Sequence, residues 1–118
     1  AYCHLREGFR DFVLGRILLP GAPVASDVDS SQDREWHTNV DLVLKPDDSL
    51  TIKQREGVEI DYGMKNGKVT VPCRQAMLFY TLRMLNFEPN GTPRKGEKQV
   101  VIANLADIKS FLPKPGQA

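Results

Sequence analysis

Apolar and polar side chains alternate over residues 36–45. One face of the resulting segment collects Trp36, Thr38, Val40, Leu42 and Leu44. A period of two over this length predicts a half-buried β-strand, with the Trp36 ring in the core. Pro46 ends the strand, and the side-chain oxygens of residues 47–49 are candidates for capping the helix that follows.

The segment from residue 50 to about residue 61 combines a few apolar residues with the polar run Gln54-Arg55-Glu56 and predicts a helix, although Gly57 lowers its propensity. The pair Asn66-Gly67 is then a strong hairpin signal, because a tight type I′ turn needs a positive φ at both central residues. We expect a short strand over residues 68–72 after this turn.

The clearest helical pattern runs from Cys73 to Asn86. Its main apolar stripe is made of Leu78, Phe79, Leu82 and Leu85. A second group broadens the apolar surface to more than half of the circumference: Met77, Tyr80 and Met84. A helix of that kind is packed on two sides, and the second side meets either a sheet edge or another subunit.

Residues 99–103 predict another strand, and Asn104 is placed to cap a last short helix over residues 105–112. The compact part of the chain therefore has the order β-α-β-α-β-α. This order predicts an α+β sandwich with helices on one face of a mainly antiparallel sheet, and a ferredoxin-like arrangement is our first expectation.

The chain opens with two strand-like runs around a turn at Glu7-Gly8, and the second run extends from Phe9 to Ile17. Because the apolar alternation starts at the first residue, we expect a β-hairpin remnant of a domain whose earlier part is missing. The polar, acidic segment that follows is typical of a linker. The expected organisation is a hairpin over residues 1–17, a linker over residues 18–35 and a compact domain over residues 36–118.

Composition narrows the classes of function. The 118 residues are 41% hydrophobic and 26% charged, with a net charge of +1, as in an ordinary globular domain. Such a balance produces no overall field that attracts nucleic acid. The sequence has neither signal-peptide character nor an apolar run long enough to cross a membrane. We therefore expect a cytoplasmic protein without a membrane partner, whose two cysteines only weakly suggest a disulfide.

Candidate catalytic residues are scarce. Nucleophilic catalysis needs a Cys or Ser beside an oriented base, and the chain has only two histidines, His4 and His37. Within a strand, Cys3 and His4 point to opposite faces, and Cys73 meets His37 only if the fold brings them together. Zinc-ligand spacing and phosphate-binding glycine motifs are absent as well. We expect no enzyme activity, no metal and no cofactor.

Arginines distinguish the opening hairpin. A period of two places Arg10, Phe12 and Arg16 on one face, and Arg6 lies on the facing strand. Guanidinium groups that converge in this way suit a phosphate or a carboxylate. From spacing alone, single ion pairs with acidic neighbours or with another domain are the more common arrangement. The basic loop over residues 94–98 likewise either touches phosphates or only keeps a loop tip soluble.

Residues 10–17, Arg-Asp-Phe-Val-Leu-Gly-Arg-Ile, resemble the end of the WYL domain of bacterial transcription regulators, which is close to R-x-F-R-L-D-R-I. Val13 and Gly15 depart from the commoner Arg and Asp of that pattern. Residues 60–64 and 74–80 resemble the carboxy-terminal extension (the WCX domain) of the BrxR/CapW type, regulators associated with phage-defence gene clusters. The similarity extends over nearly the whole chain.

This resemblance implies a dimeric regulator that represses or activates transcription, built from a winged-helix DNA-binding domain, a WYL domain and the extension. It also implies that the WYL domain senses a nucleotide or a nucleic-acid-like ligand through a basic pocket. The matching candidates for that pocket are Arg10, Arg16, Arg6 and His4. The extension is expected to relay the ligand signal and to carry dimer contacts on the helix from Cys73 to Asn86. The candidate contacts are Leu78, Phe79, Leu82 and Tyr80.

The alternative is a free-standing module that binds single-stranded nucleic acid on a ferredoxin-like sheet. Such modules stack bases on exposed aromatic side chains, and Trp36 is the only evident candidate. Its alternation with Val40 and Leu42 favours a place in the core instead.

Overall fold

The computed structural model describes residues 1–96 and 99–114. The chain forms two units, Ala1–Arg34 and Glu35–Ala118. The first unit contains an antiparallel hairpin of strands β1 (Tyr2–Cys3) and β2 (Gly8–Phe9). The predicted hairpin at the start of the chain is thus present, but it is short.

The predicted strand over residues 9–17 is wrong beyond Arg10. Leu14–Arg16 forms a 3₁₀ turn instead, and a second 3₁₀ turn follows at Ser30–Gln32. A strand needs a neighbour for its backbone hydrogen bonds, and pairing ends where Ala1 and Arg10 exchange two bonds of 2.8 and 2.9 Å. All of residues 1–34 are described, and none of their side chains is buried.

The second unit is built on an antiparallel sheet of three strands. The central strand β3 (Asn39–Pro46) pairs with β4 (Val69–Arg74) on one side and with β5 (Val100–Ile102) on the other. Alternate residues of β3 are buried, as its sequence pattern predicts, and the register places Leu42 opposite Val71 and Leu44 opposite Ile102.

The prediction that Trp36 is a core residue of β3 is wrong. Trp36 lies in a short helix, α1 (Arg34–His37), and its side chain is 42% exposed. The register of β3 with β4 ends at the pair Asn39 and Arg74, because β4 passes into a 3₁₀ turn at that point. One more backbone bond, from the Gln75 N–H to the Thr38 carbonyl at 2.8 Å, follows this pair, and Trp36 lies beyond it, outside the ladder of β3.

Helix α2 (Ile52–Asp61) confirms the predicted helix. Its cap is Thr51 rather than a residue in the segment 47–49. The Thr51 hydroxyl accepts a hydrogen bond from the Gln54 N–H, and the Gln54 side chain accepts one from the Thr51 N–H, which together form a capping box. The Asp47 carboxylate instead accepts a bond from the Ser49 N–H within the turn after β3.

The predicted helix from Cys73 to Asn86 starts too early. Cys73 and Arg74 are the last residues of β4, and a 3₁₀ turn at Gln75–Met77 leads into helix α3 (Leu78–Met84). Pro72 does not end the strand, because its register partner on β3, Asp41, directs its own carbonyl towards the β5 side. In such a pair the Pro72 nitrogen points to the open edge of the sheet, where a missing N–H costs no ladder bond.

The remaining elements follow the predicted order. Asn66 and Gly67 have φ values of 54° and 73° in the expected hairpin turn. Helix α4 (Leu105–Ile108) continues into a 3₁₀ turn at Lys109–Phe111. One core cluster joins the sheet to the helices: Val40, Leu42, Leu44, Val58, Leu78, Leu82, Phe87, Val100, Ile102 and Ile108. The α+β class, the alternation of strands and helices and the antiparallel sheet are confirmed.

Asn104 does not cap α4 through its side chain. Its amide lies against β3 instead, where Nδ2 donates to the Asp41 carbonyl at 2.8 Å and Oδ1 accepts from the Val43 N–H at 3.0 Å. The Ala103 N–H also reaches the Val43 carbonyl. The Asn104 side chain thus extends the pairing of β3 beyond the three residues of β5.

Candidate functional site

The opening hairpin carries an aromatic group on one face. The Tyr2 ring meets His4 edge-on with centroids 5.0 Å apart and meets Phe9 with centroids 5.3 Å apart. Arg10 follows Phe9 and pairs with Ala1, so the alternation of side chains places Arg10 on the opposite face. His4 and Arg10, both predicted to bind a ligand, therefore do not share a face of this hairpin.

The other two predicted ligand-binding residues lie outside the strands. Arg6 is in the hairpin turn, and Arg16 is the last residue of the 3₁₀ turn Leu14–Arg16. All four candidates are exposed. Arg10 and Arg16 would share a face only on a continuous strand, which is not formed. The anion site stays a prediction that depends on the resemblance.

The predicted dimer contacts on α3 divide into buried and accessible residues. Leu78 and Leu82 are 0% and 1% exposed, so their side chains belong to the core of the unit and present no surface to a partner. Phe79 is half-buried and Tyr80 is 39% exposed, and their rings meet edge-on with centroids 5.4 Å apart. Phe79 and Tyr80 are thus the two of the four predicted contacts that retain accessible surface.

A second apolar surface lies on the outside of α3. Tyr80 and Met84 of α3 and Met77, the residue directly before the helix, are spaced by three and four residues, which places them on one side of it. Met77 is 41% exposed and Met84 is 76% exposed. One apolar side of the helix is packed in the core and the outer side is exposed, so the predicted packing of the second side stays a prediction.

The thiol of Cys73 borders this outer surface. Its side chain is hydrogen-bonded to Thr81 of α3, whose Oγ1 also donates to the Met77 carbonyl at 3.0 Å. Burial raises the pKa of the Cys73 thiol, the hydrogen bond with Thr81 lowers it and the charge of Asp41 raises it. Cys3 and Cys73 are both free thiols.

Arg74 and Trp36 form a contact that the sequence did not reveal. The Arg74 guanidinium carbon lies 4.4 Å from the centroid of the Trp36 ring, and its Nη1 donates to the Trp36 carbonyl at 2.8 Å. The two residues are far apart in sequence, and no local pattern links them. The pair forms only because the ends of β3 and β4 are neighbours.

Two further questions are whether side chains are grouped for a metal ion and whether a helix could cross a membrane. Among the described residues, no three His, Cys, Asp or Glu side chains are grouped to hold a metal ion, and no helix is long and apolar enough to cross a membrane.

The loop before β5 is anchored by a bond from the Arg94 N–H to the Asn86 carbonyl. Part of the predicted phosphate-touching loop, residues 97 and 98, lies outside the described residues.

Comparison with known proteins connects these surfaces to a family. The family model described as "BrxR transcriptional regulator, C-terminal dimerization domain" matches residues 39–108, which run from the start of β3 to the end of α4. The chain belongs to this family. The resemblance to BrxR/CapW-type regulators found in the sequence is thereby confirmed.

Comparison with individual relatives agrees with this result. The chain is 40% identical to a DNA-binding transcriptional repressor CapW of Stenotrophomonas maltophilia and 39% identical to one of Pseudomonas aeruginosa, each over 114 residues. It is 32% identical to the repressor of the same name from Escherichia coli over 113 residues. Each match covers 95% of this chain but only 38% of the relative. These names describe regulators, in agreement with the expected non-enzymatic role.

Proposed function

We propose that the chain is the dimerising carboxy-terminal region of a DNA-binding transcriptional repressor, with DNA bound by a winged-helix domain elsewhere in the polypeptide. The match of residues 39–108 to a dimerization-domain family is the observation that carries this proposal. The names of the CapW relatives, DNA-binding transcriptional repressors, support the regulatory part of the proposal.

The apolar outer side of α3 supports a homodimer. Exposed apolar surface that is grouped on one side of a helix is typical of a protein–protein contact. Light scattering over a range of concentrations tests the oligomeric state of the chain directly. The expected result is a mass of two chains, and a clean monomer at high concentration contradicts the dimer.

The opening unit is the proposed sensor element. Arg10 and Arg16, with Arg6 and His4 nearby in sequence, are the candidates for holding a nucleotide or a nucleic-acid-like effector. The apolar side chains of Phe12, Leu14, Ile17 and Leu18 are 49–98% exposed, as expected for a segment that a larger WYL domain would cover. The second unit would then relay effector binding to the DNA-binding domain.

Trp36 provides a specific reason to test the alternative, a module that stacks single-stranded nucleic acid. Its ring is partly exposed, although Arg74 already occupies one side of it. Labelled single-stranded oligonucleotides titrated against Arg10→Ala and Trp36→Ala variants separate the two functions. Weakened binding only in Arg10→Ala supports the sensor, and weakened binding only in Trp36→Ala supports the stacking module.

A further inference from the structure

Two groups of exposed apolar side chains lie within the residues that match the dimerization family. One is on α2 and includes Ile52 and Ile60, which are 77% and 80% exposed. The other is the outer side of α3, made of Met77, Tyr80 and Met84. These two groups and the open edge of β4 are the candidate surfaces for a contact between two copies.

The charge of the two helices distinguishes between the groups. Five of the ten residues of α2 are charged, and they surround its two exposed isoleucines: Lys53, Arg55, Glu56, Glu59 and Asp61. Helix α3 has a single charged residue, Arg83. The centres of protein interfaces are depleted in charged residues and enriched in methionine and aromatic side chains. The outer side of α3 can therefore be buried in an interface at little cost in charge desolvation. The charged surface of α2 favours exposure to solvent.

A two-fold axis strengthens this distinction. In a symmetric dimer the same patch faces itself, so each charge near the axis meets a like charge. A stripe of two methionines and a tyrosine meets only apolar and weakly polar groups under the same operation. The α3 stripe is thus self-complementary without any other partner.

The edge of β4 borders the stripe but does not favour strand pairing. Cys73 is hydrogen-bonded to Thr81 of α3, and Val71 lies two residues before Cys73 on the same half-buried face of β4. Pro72 provides no N–H on the open edge, and proline at an edge discourages pairing with another strand. The β4 edge thus adds apolar side chains to the surface but lacks a full set of backbone donors.

We infer that two copies of this chain pack through the outer side of α3, helix against helix, with Val71 and Cys73 of β4 completing the contact. This inference rests on the proposed homodimer and specifies its surface. It replaces the buried Leu78 and Leu82 of the sequence-based prediction with Met77 and Met84.

A pair of matched substitutions tests the surface. Met84→Glu and Ile60→Glu each place a carboxylate at an apolar helix position of nearly equal exposure, 76% and 80%. Because like charges brought together across an interface cost several kcal/mol, we expect Met84→Glu to weaken the dimer by roughly 100-fold or more. Ile60→Glu is expected to leave the dimer unchanged. Sedimentation equilibrium measures the dissociation constants, and circular dichroism shows that both variants are folded.

The outcomes separate the surface from the dimer itself. A wild-type chain that stays monomeric overturns the proposed homodimer. A dimeric wild type with equal affinity in folded Met84→Glu overturns the α3 surface and leaves the homodimer intact. Loss of the dimer in Ile60→Glu alone assigns the contact to α2 and also overturns the inference.

Thiol chemistry provides a second measurement that requires no change on α3. In the Cys3→Ser variant, Cys73 is the only thiol of the chain. Its alkylation rate by iodoacetamide is expected to fall in proportion to the monomer fraction as the protein concentration rises. A rate that stays constant while the chain dimerises overturns the inference, even if Met84→Glu fails to fold.

Discussion

The guanidinium of Arg74 covers the indole ring of Trp36 at 4.4 Å and donates a hydrogen bond to the carbonyl of the same residue. One side chain at the end of β4 thereby holds both the ring and the backbone of a residue that precedes the sheet. Cation–π contacts of this kind contribute about 0.5–1 kcal/mol at exposed sites. The hydrogen bond to the carbonyl adds to the same contact, since its donor is charged.

Arg74→Ala removes both interactions. We expect the free energy of unfolding to fall by about 1–2 kcal/mol. Trp36 is the only tryptophan of the chain, so its fluorescence emission should shift to longer wavelength as the ring gains water. Urea denaturation followed by fluorescence measures both effects. Arg83→Ala, an arginine substitution on the exposed part of α3, is the control, and an equal loss there contradicts a specific role of Arg74.

Asn104 is expected to be more sensitive than its partial exposure suggests. Asn104→Ala removes the acceptor of the Val43 N–H and the donor to the Asp41 carbonyl at once. Because a partly buried N–H is left without its partner, we expect a loss of about 1–3 kcal/mol of unfolding free energy. Amide hydrogen exchange should show faster exchange at Val43.

Two comparison variants test whether the loss of stability in Asn104→Ala comes from its two bonds to β3. Asn104→Asp keeps an acceptor for Val43 but places a carboxylate oxygen against the Asp41 carbonyl, so it should also destabilise the fold. Asn90→Ala removes an amide whose bonds stay within its own loop, to the N–H and hydroxyl of Thr92. A loss in Asn90→Ala as large as in Asn104→Ala would contradict the bridging role.

Sequence patterns predicted the interior of the second unit and missed the ends of its elements. The buried residues of β3 follow from alternation alone, because every second residue of one short segment lies on the buried face. Trp36 and Cys73 were misplaced for a common reason. Both depend on how far β3 and β4 run beside each other, and that length is set by pairing between distant segments.

The candidate site shows the same limit. The apolar character of Met77 and Met84 is evident in the sequence. Helical spacing shows which residues share a side of α3, but it does not determine which side packs against the sheet. Leu78 and Leu82 were therefore assigned to a partner although they pack in the core. The bridging role of Asn104 was equally hidden, since it arises because β5 is shorter than the strand it pairs with.

Two glycines are expected to respond to alanine with opposite signs. Gly91 has a φ of 84°, and an added Cβ would overlap the Leu105 side chain. We expect Gly91→Ala to destabilise the fold by more than about 1 kcal/mol. Gly57 lies inside α2 with open space around its Cα, so Gly57→Ala should stabilise it by roughly 0.5–1 kcal/mol. Thermal denaturation compares the two, and the same sign in both would contradict this assignment.

The pKa of the Cys73 thiol should depend on its burial, on Thr81 and on Asp41. Burial raises the pKa of this thiol, so in Cys3→Ser the rise of the alkylation rate with pH should be centred higher in the folded chain than in urea. Thr81→Val removes the hydrogen bond that lowers the pKa and should raise it further. Asp41→Asn removes a charge that raises the pKa and should lower it. A change in the opposite direction in either variant contradicts this arrangement.

The raised pKa of Cys73 also contributes to the way stability depends on pH. Below the pKa of the unfolded thiol both states hold the proton, so this group adds no slope. As the pH rises above that value, the unfolded chain loses the proton first, and the free energy of unfolding falls until the pH passes the folded pKa. Urea denaturation of Cys3→Ser should show this alkaline loss. It should be reduced in the double variant with Cys73→Ser, and an equal slope in both would assign the loss to other groups.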